Sequence, residues 1–288
     1  MSETTGQEGL RAETISATVD GFALQEYKFK QVCSVQRSGS WKESYYEEGS
    51  TELAGGTGSA IRGIPRGATF PYGGPNWTKK SAYLEKYGME GVIFMEDVLA
   101  NEINVVSRTL LRIARAVAKA VDDEIWSKLT TAAGIQTFTI AASKEWNAVT
   151  ASGSNIIDDL MHAKQLISEE NYNPDNAYAL VSPKDHRSIV RWLADKGAQF
   201  PSLSEQVSTN GRAGNLTGLK IVVSNSVAAS GALIIVGQEA ATWKEAVALT
   251  TKTIDDPGKK TTIRTWEIGV TQVTNPKAIV WIKNTQFD

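Results

Sequence analysis

Residues 103–129 carry one unbroken helical period, and no other segment restricts the fold so strongly. Val106, Leu110, Ile113, Val117 and Val121 recur at spacings of four, three, four and four, which places them in one apolar stripe. At 1.5 Å per residue such a helix is about 40 Å long, longer than most helices of globular domains. Its opposite side carries Arg108, Arg112, Arg115 and Lys119 at the matching spacing, all within about 60° of one another. A row of cations is most often a solvated face. Like charges stacked along a helix nevertheless cost stability unless something offsets them, so a phosphate-facing role stays open. The formal net charge of −2, from 30 basic and 32 acidic side chains, argues against a freely diffusing nucleic-acid binder.

Ahead of the helix the composition changes. Gly49, Gly55, Gly56, Gly58, Gly63, Gly67, Gly73 and Gly74 alternate with Pro65, Pro71 and Pro75. A stretch this long without regular pattern is predicted to be a functional loop. Glu43, Glu47, Glu48 and Glu52 lie on the way out, and Arg62, Arg66, Lys79 and Lys80 on the way back. The two limbs could pair with each other, pair with neighbouring subunits, or stand as ordinary solvated charges.

Around these features the pattern is mixed α and β. Residues 1–28 lack strong periodicity and are predicted to form an arm, ordered only if something else holds it. From Lys28 the alternation of Phe29, Gln31, Cys33, Val35 and Arg37 predicts a strand, and 82–94 another, leading to a helix start at Met95. A second amphipathic helix is expected at 155–170 and a strand at 177–181. Ser182-Pro183-Lys184-Asp185 then supplies a cap, a first-turn proline and a carboxylate for a helix over 183–195. Strands are expected at 219–224, 232–236, 242–254, 261–268 and 278–283. Asp255, Asp256, Pro257, Gly258, Lys259 and Lys260 form a hairpin turn between two of them.

Materials for catalysis are scarce. The one cysteine, Cys33, excludes an intrachain disulfide framework, and two histidines, His162 and His186, exclude a His-rich metal centre. There is no phosphate-cradling glycine fingerprint, nucleophile elbow or H-E-x-x-H motif. Adjacent carboxylates at Asp122–Asp123 and Asp158–Asp159 point in different directions on a helix; the first pair is expected to balance the basic row. The 8 tryptophans, scattered from Trp41 to Trp281, suggest packing in core and interfaces. The acidic N-terminus and an aliphatic run no longer than 232–236 give no membrane signal. No catalytic, cofactor-binding or metal-ligating residues are predicted.

Several local sequences, in order, resemble the major capsid protein family of tailed double-stranded DNA phages. Phe94-Met-Glu-Asp-Val-Leu, followed by Val106-Ser-Arg-Thr-Leu-Leu-Arg-Ile-Ala-Arg, is similar to that family's entry into its spine helix. Leu180-Val-Ser-Pro-Lys-Asp-His resembles its central strand-to-helix step. Gly218-Leu-Lys-Ile-Val-Val-Ser and Ala232-Leu-Ile-Ile-Val-Gly resemble a recurring strand pair, and residues 271–282 its closing strands. The resemblance spans about 30–288 and implies an α+β, Hong Kong 97-type fold. Its parts would be an N-terminal arm (1–35), an extended loop (36–82), a peripheral domain (83–135 and 242–267) and an axial domain (136–241 and 268–288).

The implied function is a shell of pentamers and hexamers around a viral genome, assembled in the host cytoplasm, without enzymatic activity or cofactor. The implied partners are copies of itself, packaged double-stranded DNA bound non-specifically, and scaffolding, portal and decoration proteins. The loop charges would set register between subunits, the basic row would face DNA, and the hairpin at 255–260 would meet its copies at threefold junctions. Two alternatives are an encapsulin-like nanocompartment and a soluble α+β enzyme. Encapsulins begin with an interior helix, and 1–20 show no persuasive amphipathic helix, which favours the virus.

Overall fold

The elements of the computed structural model, in chain order, are β1 (Ser34–Arg37), β2 (Lys42–Glu48), β3 (Trp77–Tyr83), β4 (Glu85–Phe94) and α1 (Ile103–Thr131). Next come β5 (Gln136–Thr139), α2 (Ile156–Glu169), β6 (Ala177–Val181) and α3 (Pro183–Asp195). The remainder are β7 (Asn215–Leu216), β8 (Leu219–Val223), β9 (Gly231–Val236), β10 (Ala241–Asp256), β11 (Lys260–Val273) and β12 (Ile279–Lys283). The described residues are 17–19, 21–23, 26–49, 62–71, 73, 77–96, 103–148, 155–195 and 214–287, with the side chains of 103–107 excepted. Glu52 and the glycines at 55, 56, 58 and 74 lie outside them.

The chain divides into two units: Met1–Glu43, Ala82–Ser127 and Trp243–Gln272 in the first, and Ser44–Ser81, Lys128–Thr242 and Val273–Asp288 in the second. In the first, β1-β10-β11-β4 form a four-stranded sheet in that order. β4 runs antiparallel to β11, with Phe94 opposite Lys260 and Glu85 opposite Gly269. Gly91 in β4 lets helix α1 approach closely: a Cβ there would meet Ile113 Cδ1 at 2.4 Å. The apolar stripe of α1 is buried at Leu110, Ile113, Val117 and Val121, as its period requires.

The second unit is built on a six-stranded sheet, β5-β12-β9-β6-β8-β7. β9 is buried at every position from Gly231 to Val236, which matches the unbroken apolar run of a strand covered on both faces. β6 pairs antiparallel with β9 and parallel with β8. α2 packs on β12 and buries Ile156, Leu160, Ala163 and Ile167. α3 starts as its cap residues dictate: the Ser182 hydroxyl accepts the Asp185 N–H at 3.1 Å and donates to the Asp185 carboxylate at 2.6 Å. Gln286 donates to the other Asp185 oxygen at 2.7 Å, tying the chain's last described residues to this helix start.

Three expectations need correction. Residues 28–33 are a turn, not a strand; Val32 and Cys33 donate their N–H groups to Phe29 O, and β1 starts only at Ser34. Apolar alternation there misled because Phe29, Val32 and Cys33 are all buried, in a turn whose N–H groups are met by a side chain of α1. Residues 17–19 and 21–23 are helical, burying Val19 and Ala23, where no helix was expected. β11 continues beyond 268 to Val273, passing through Gly269, where a Cβ would meet the Trp243 ring at 2.4 Å.

Candidate interaction surfaces

β2 and β3 form a separate two-stranded sheet. Its large rings stand in water: Tyr46, Trp77 and Tyr83 are each 58% exposed, and Trp41, immediately before β2, is 63% exposed. Tyr46 and Trp77 lean together with centroids 6.1 Å apart, and Lys42 lies 5.5 Å from the centre of the Tyr83 ring. Two-stranded ribbons are marginal in water, and exposed aromatic patches mark surfaces that another molecule covers. The acidic and basic limbs meet at Lys80 and Glu47, 2.5 Å apart. Glu43 accepts from Ser38, and Glu48 from Tyr172 at 3.4 Å. Arg62, Arg66 and Lys79 are exposed, without an ion pair among the described residues.

On α1 the four cations are exposed but not equivalent. Arg115 pairs with Glu26 at 2.8 Å and Lys119 with Asp123 at 2.6 Å. Arg108 and Arg112 have no ion pair among the described residues. Asp122 and Trp126 lie one heptad beyond Arg115 and Lys119, within about 20° of the same line. There the face is buried, which corrects the expected role of Asp122. Its carboxylate accepts the N–H groups of Lys28 (2.9 Å) and Phe29 (3.1 Å), and Phe29 packs on Trp126 with centroids 6.0 Å apart. Burial pushes the Asp122 carboxyl up to about 6 against the lowering effect of those donors. Cys33 is buried nearby, its thiol pushed up to about 12 first by burial and then by the Asp122 charge.

The same N-terminal turn enters a charged cluster that sequence reasoning missed. Glu267 in β11 is 0% exposed and accepts from Tyr27 Oη (2.5 Å), Lys30 Nζ (2.7 Å) and Trp243 Nε1 (3.1 Å). Lys30 also reaches Glu245 at 2.7 Å. Burial works to lower the Lys30 pKa, but the two carboxylates outweigh it and leave it above the ordinary value. Burial and Glu267 together raise Tyr27, so the phenol stays protonated and donates. A carboxylate on the inward side of a strand demands partners, and that demand was the only available signal.

The β10–β11 turn has Gly258 at φ +79°, and Lys259 N–H donates to Asp256 O at 3.1 Å. Lys259 and Asp256 form an exposed pair at 3.8 Å, and Met95 N–H caps Lys259 O at 3.2 Å. Asp255 is exposed and Lys260 sits opposite Phe94. Exposed Val92, Phe94, Met95 and Ile254 surround this tip with apolar surface.

Among the described residues no three His, Cys, Asp or Glu side chains gather to hold a metal, and no helix is long and apolar enough to cross a membrane. The sequence matches the family model described as phage capsid protein over residues 78–282, more than half of the chain. The chain belongs to the phage capsid protein family. This capsid protein is therefore a member of a structural family, not an enzyme family. No curated protein matches it. Its fold is similar to a virus-like particle from Pyrococcus furiosus, at 11% identity and TM-score 0.64, covering 94% of this chain and 99% of that one. It is also similar to the capsid of cyanophage P-SCSP1u, at 12% identity and TM-score 0.64, covering 89% and 88%. A third is from Mycobacterium phage Che8, at 17% identity and TM-score 0.59, covering 88% and 90%. The architecture is thus the Hong Kong 97-type α+β capsid fold.

Proposed function

We propose that this capsid protein is the major shell subunit of a tailed double-stranded DNA virus, assembling as pentamers and hexamers into an icosahedral shell in the host cytoplasm. The observation that carries the reading, beside the family, is the β2–β3 ribbon with Tyr46, Trp77 and Tyr83 more than half exposed, as is Trp41 just before it. A chain that stays alone gains nothing from these rings in water, whereas a neighbouring copy would bury them. The ribbon and the rest of 36–82 would span a neighbour, with the hairpin at 255–260 meeting its copies at threefold junctions. Residues 83–135 and 242–267 would form the peripheral domain, and 136–241 with 268–288 the axial domain. Arg108 and Arg112 would face the genome, bound non-specifically through phosphate, with Arg115 and Lys119 partly neutralised. Scaffolding, portal and decoration proteins would join the shell.

Negative-stain microscopy of the purified protein tests this. Shells or capsomers are expected; a stable monomer across concentration and salt would refute the reading. Cargo is the second readout, with DNA expected and a protein cargo pointing to a nanocompartment. The helical residues at 17–19 and 21–23 remove the N-terminal argument against that compartment. The preference for a genome now rests on the family.

A further inference from the structure

The four-stranded sheet has two unlike faces. Its inward face is closed by α1: Gly91 lies against Ile113 and Thr109, and Ile263, Thr265 and Glu267 are buried. Strand alternation turns the intervening residues to the other face. Gly88 and Trp266 agree with this, since they are opposite in register and a Cβ on Gly88 would meet the Trp266 Cβ at 3.0 Å. Towards the β10–β11 turn, Val92, Phe94, Met95 and Ile254 are each 40–52% exposed.

Charge on the outward face is lopsided. Lys86, Lys244, Lys252, Lys260 and Arg264 take outward positions. Their acidic company is Glu90, paired with Arg264 at 2.5 Å, and Asp256, 3.8 Å from Lys259. Lys86 lies 5.5 Å from the centre of the Trp266 ring and Lys244 donates to Gln36. Lys252 and Lys260 have no ion pair among the described residues.

β4 is also the last strand of this sheet. It pairs with β11 over all 10 of its residues, without bulge or proline, and no strand lies on its other side among the described residues. That edge is about 34 Å of backbone, with alternate N–H and C=O groups turned away from β11. A long, regular edge beside exposed apolar side chains is the geometry of strand addition, in which backbone groups supply affinity and side chains select the partner.

We propose that β4 receives an extended, acidic segment of a different protein. The segment adds as a fifth strand, sets apolar side chains on Val92 and Phe94, and turns carboxylates to Lys86 and Lys260. The ribbon of a second copy fits less well. It holds Glu47 against Lys80 and leaves Arg62, Arg66 and Lys79 without an ion pair among the described residues, so like charge would meet like. Nucleic acid also fits less well, because Val92, Met95 and Ile254 offer a base no ring to stack on. Since α1 covers the inward face, its cation row and the outward face of β4 look opposite ways. On the reading that the row faces a genome, the partner binds from outside the shell; the docking itself does not rest on that reading.

Hydrogen exchange and peptide binding on the full-length subunit test this. In the free subunit alternate amides of 85–94 should exchange fast; uniform protection would show an edge already covered and overturn the proposal. The probe is a fluorescein-labelled decapeptide of glutamate and valine, with a glutamine-for-glutamate version and one interrupted by prolines. The acidic peptide should bind and slow those alternate amides. Its affinity should fall about tenfold in Lys86→Gln with Lys260→Gln, and in Phe94→Ser, but not in Lys79→Gln. Absent binding overturns the docking, equal binding of the glutamine peptide overturns the charge selection, and equal binding of the proline peptide overturns strand addition. Assembled shells without peptide should keep the alternate amides fast; protection gained on assembly would make the occupant a second copy and overturn the separate partner. If no shells form, the shell reading fails while the subunit result still decides the docking.

Discussion

Removing Glu267 should cost more than removing any exposed charge of this protein. The carboxylate is 0% exposed and takes three donors, from Tyr27 (2.5 Å), Lys30 (2.7 Å) and Trp243 (3.1 Å). Deleting one partner of a buried pair costs about 3–5 kcal/mol, and each neutral donor left without an acceptor about 1–3 kcal/mol. Glu245 still holds Lys30 at 2.7 Å and moderates the loss. The expected cost of Glu267→Ala is about 4 kcal/mol; Glu267→Gln, which keeps shape and one acceptor, should lose about 2 kcal/mol. Urea unfolding of dissociated subunits, followed by tryptophan fluorescence, reads the loss as a lower midpoint at unchanged slope. The decisive variant is Glu267→Gln with Lys30→Met. If the cost is a stranded ammonium, removing that ammonium recovers part of it, and the double variant is more stable than the summed singles. Strict additivity, or a loss under about 1 kcal/mol for Glu267→Ala, would refute the reasoning.

Other changes test other parts. Gly269→Ala forces a Cβ to within 2.4 Å of the Trp243 ring and 2.9 Å of Lys244 O, backbone that cannot swing away. It should destabilise the subunit by about 2–3 kcal/mol, and an unchanged urea midpoint would show that the sheet adapts there. Asp122 has its carboxyl raised from 3.8 to about 6, so between those values the folded chain binds more protons than the unfolded one. Its contribution is full below pH 4 and is lost as pH rises through 6, about 3 kcal/mol in all; Asp122→Asn should abolish that part of the urea-midpoint slope. An identical slope in the variant would reject the assignment. Tyr46→Ser with Trp77→Ser should leave subunit unfolding within about 0.5 kcal/mol while reducing shell yield by electron microscopy; normal shells would remove the ribbon from assembly.

Local signals were legible and long-range ones were not. The helix from Pro183 to Asp195 follows from Ser182, Pro183 and Asp185 because capping is decided within four residues. β6 at Ala177–Val181 and the buried run of β9 follow for the same reason: composition over a few residues settles them. The turn at 28–33 was misread because its N–H acceptor, Asp122, is 94 residues from Lys28 in sequence. The Asp122–Asp123 pair was half legible. Asp123 does balance Lys119 at the i,i+4 spacing, whereas Asp122 turns into the protein toward a partner that no helical period can show. Glu267 is the extreme case, with Tyr27 240 residues away.

The near-neutral total charge is unevenly distributed along the chain. Residues 1–26 contribute −4 to a chain that totals −2, so everything after Glu26 is net positive by 2. On α1 that positive excess is a row whose two C-terminal members, Arg115 and Lys119, are already paired and whose continuation, Asp122 and Trp126, is buried. Among the described residues only Arg108 and Arg112 of the row are left without an ion pair, so its open part is confined to the N-terminal end of α1. A protein that must first find its own copies benefits from a low field, since strong like charge on every subunit would oppose assembly. Under the proposed function, two open cations at one end of α1 would leave that low field intact and still offer phosphate a contact.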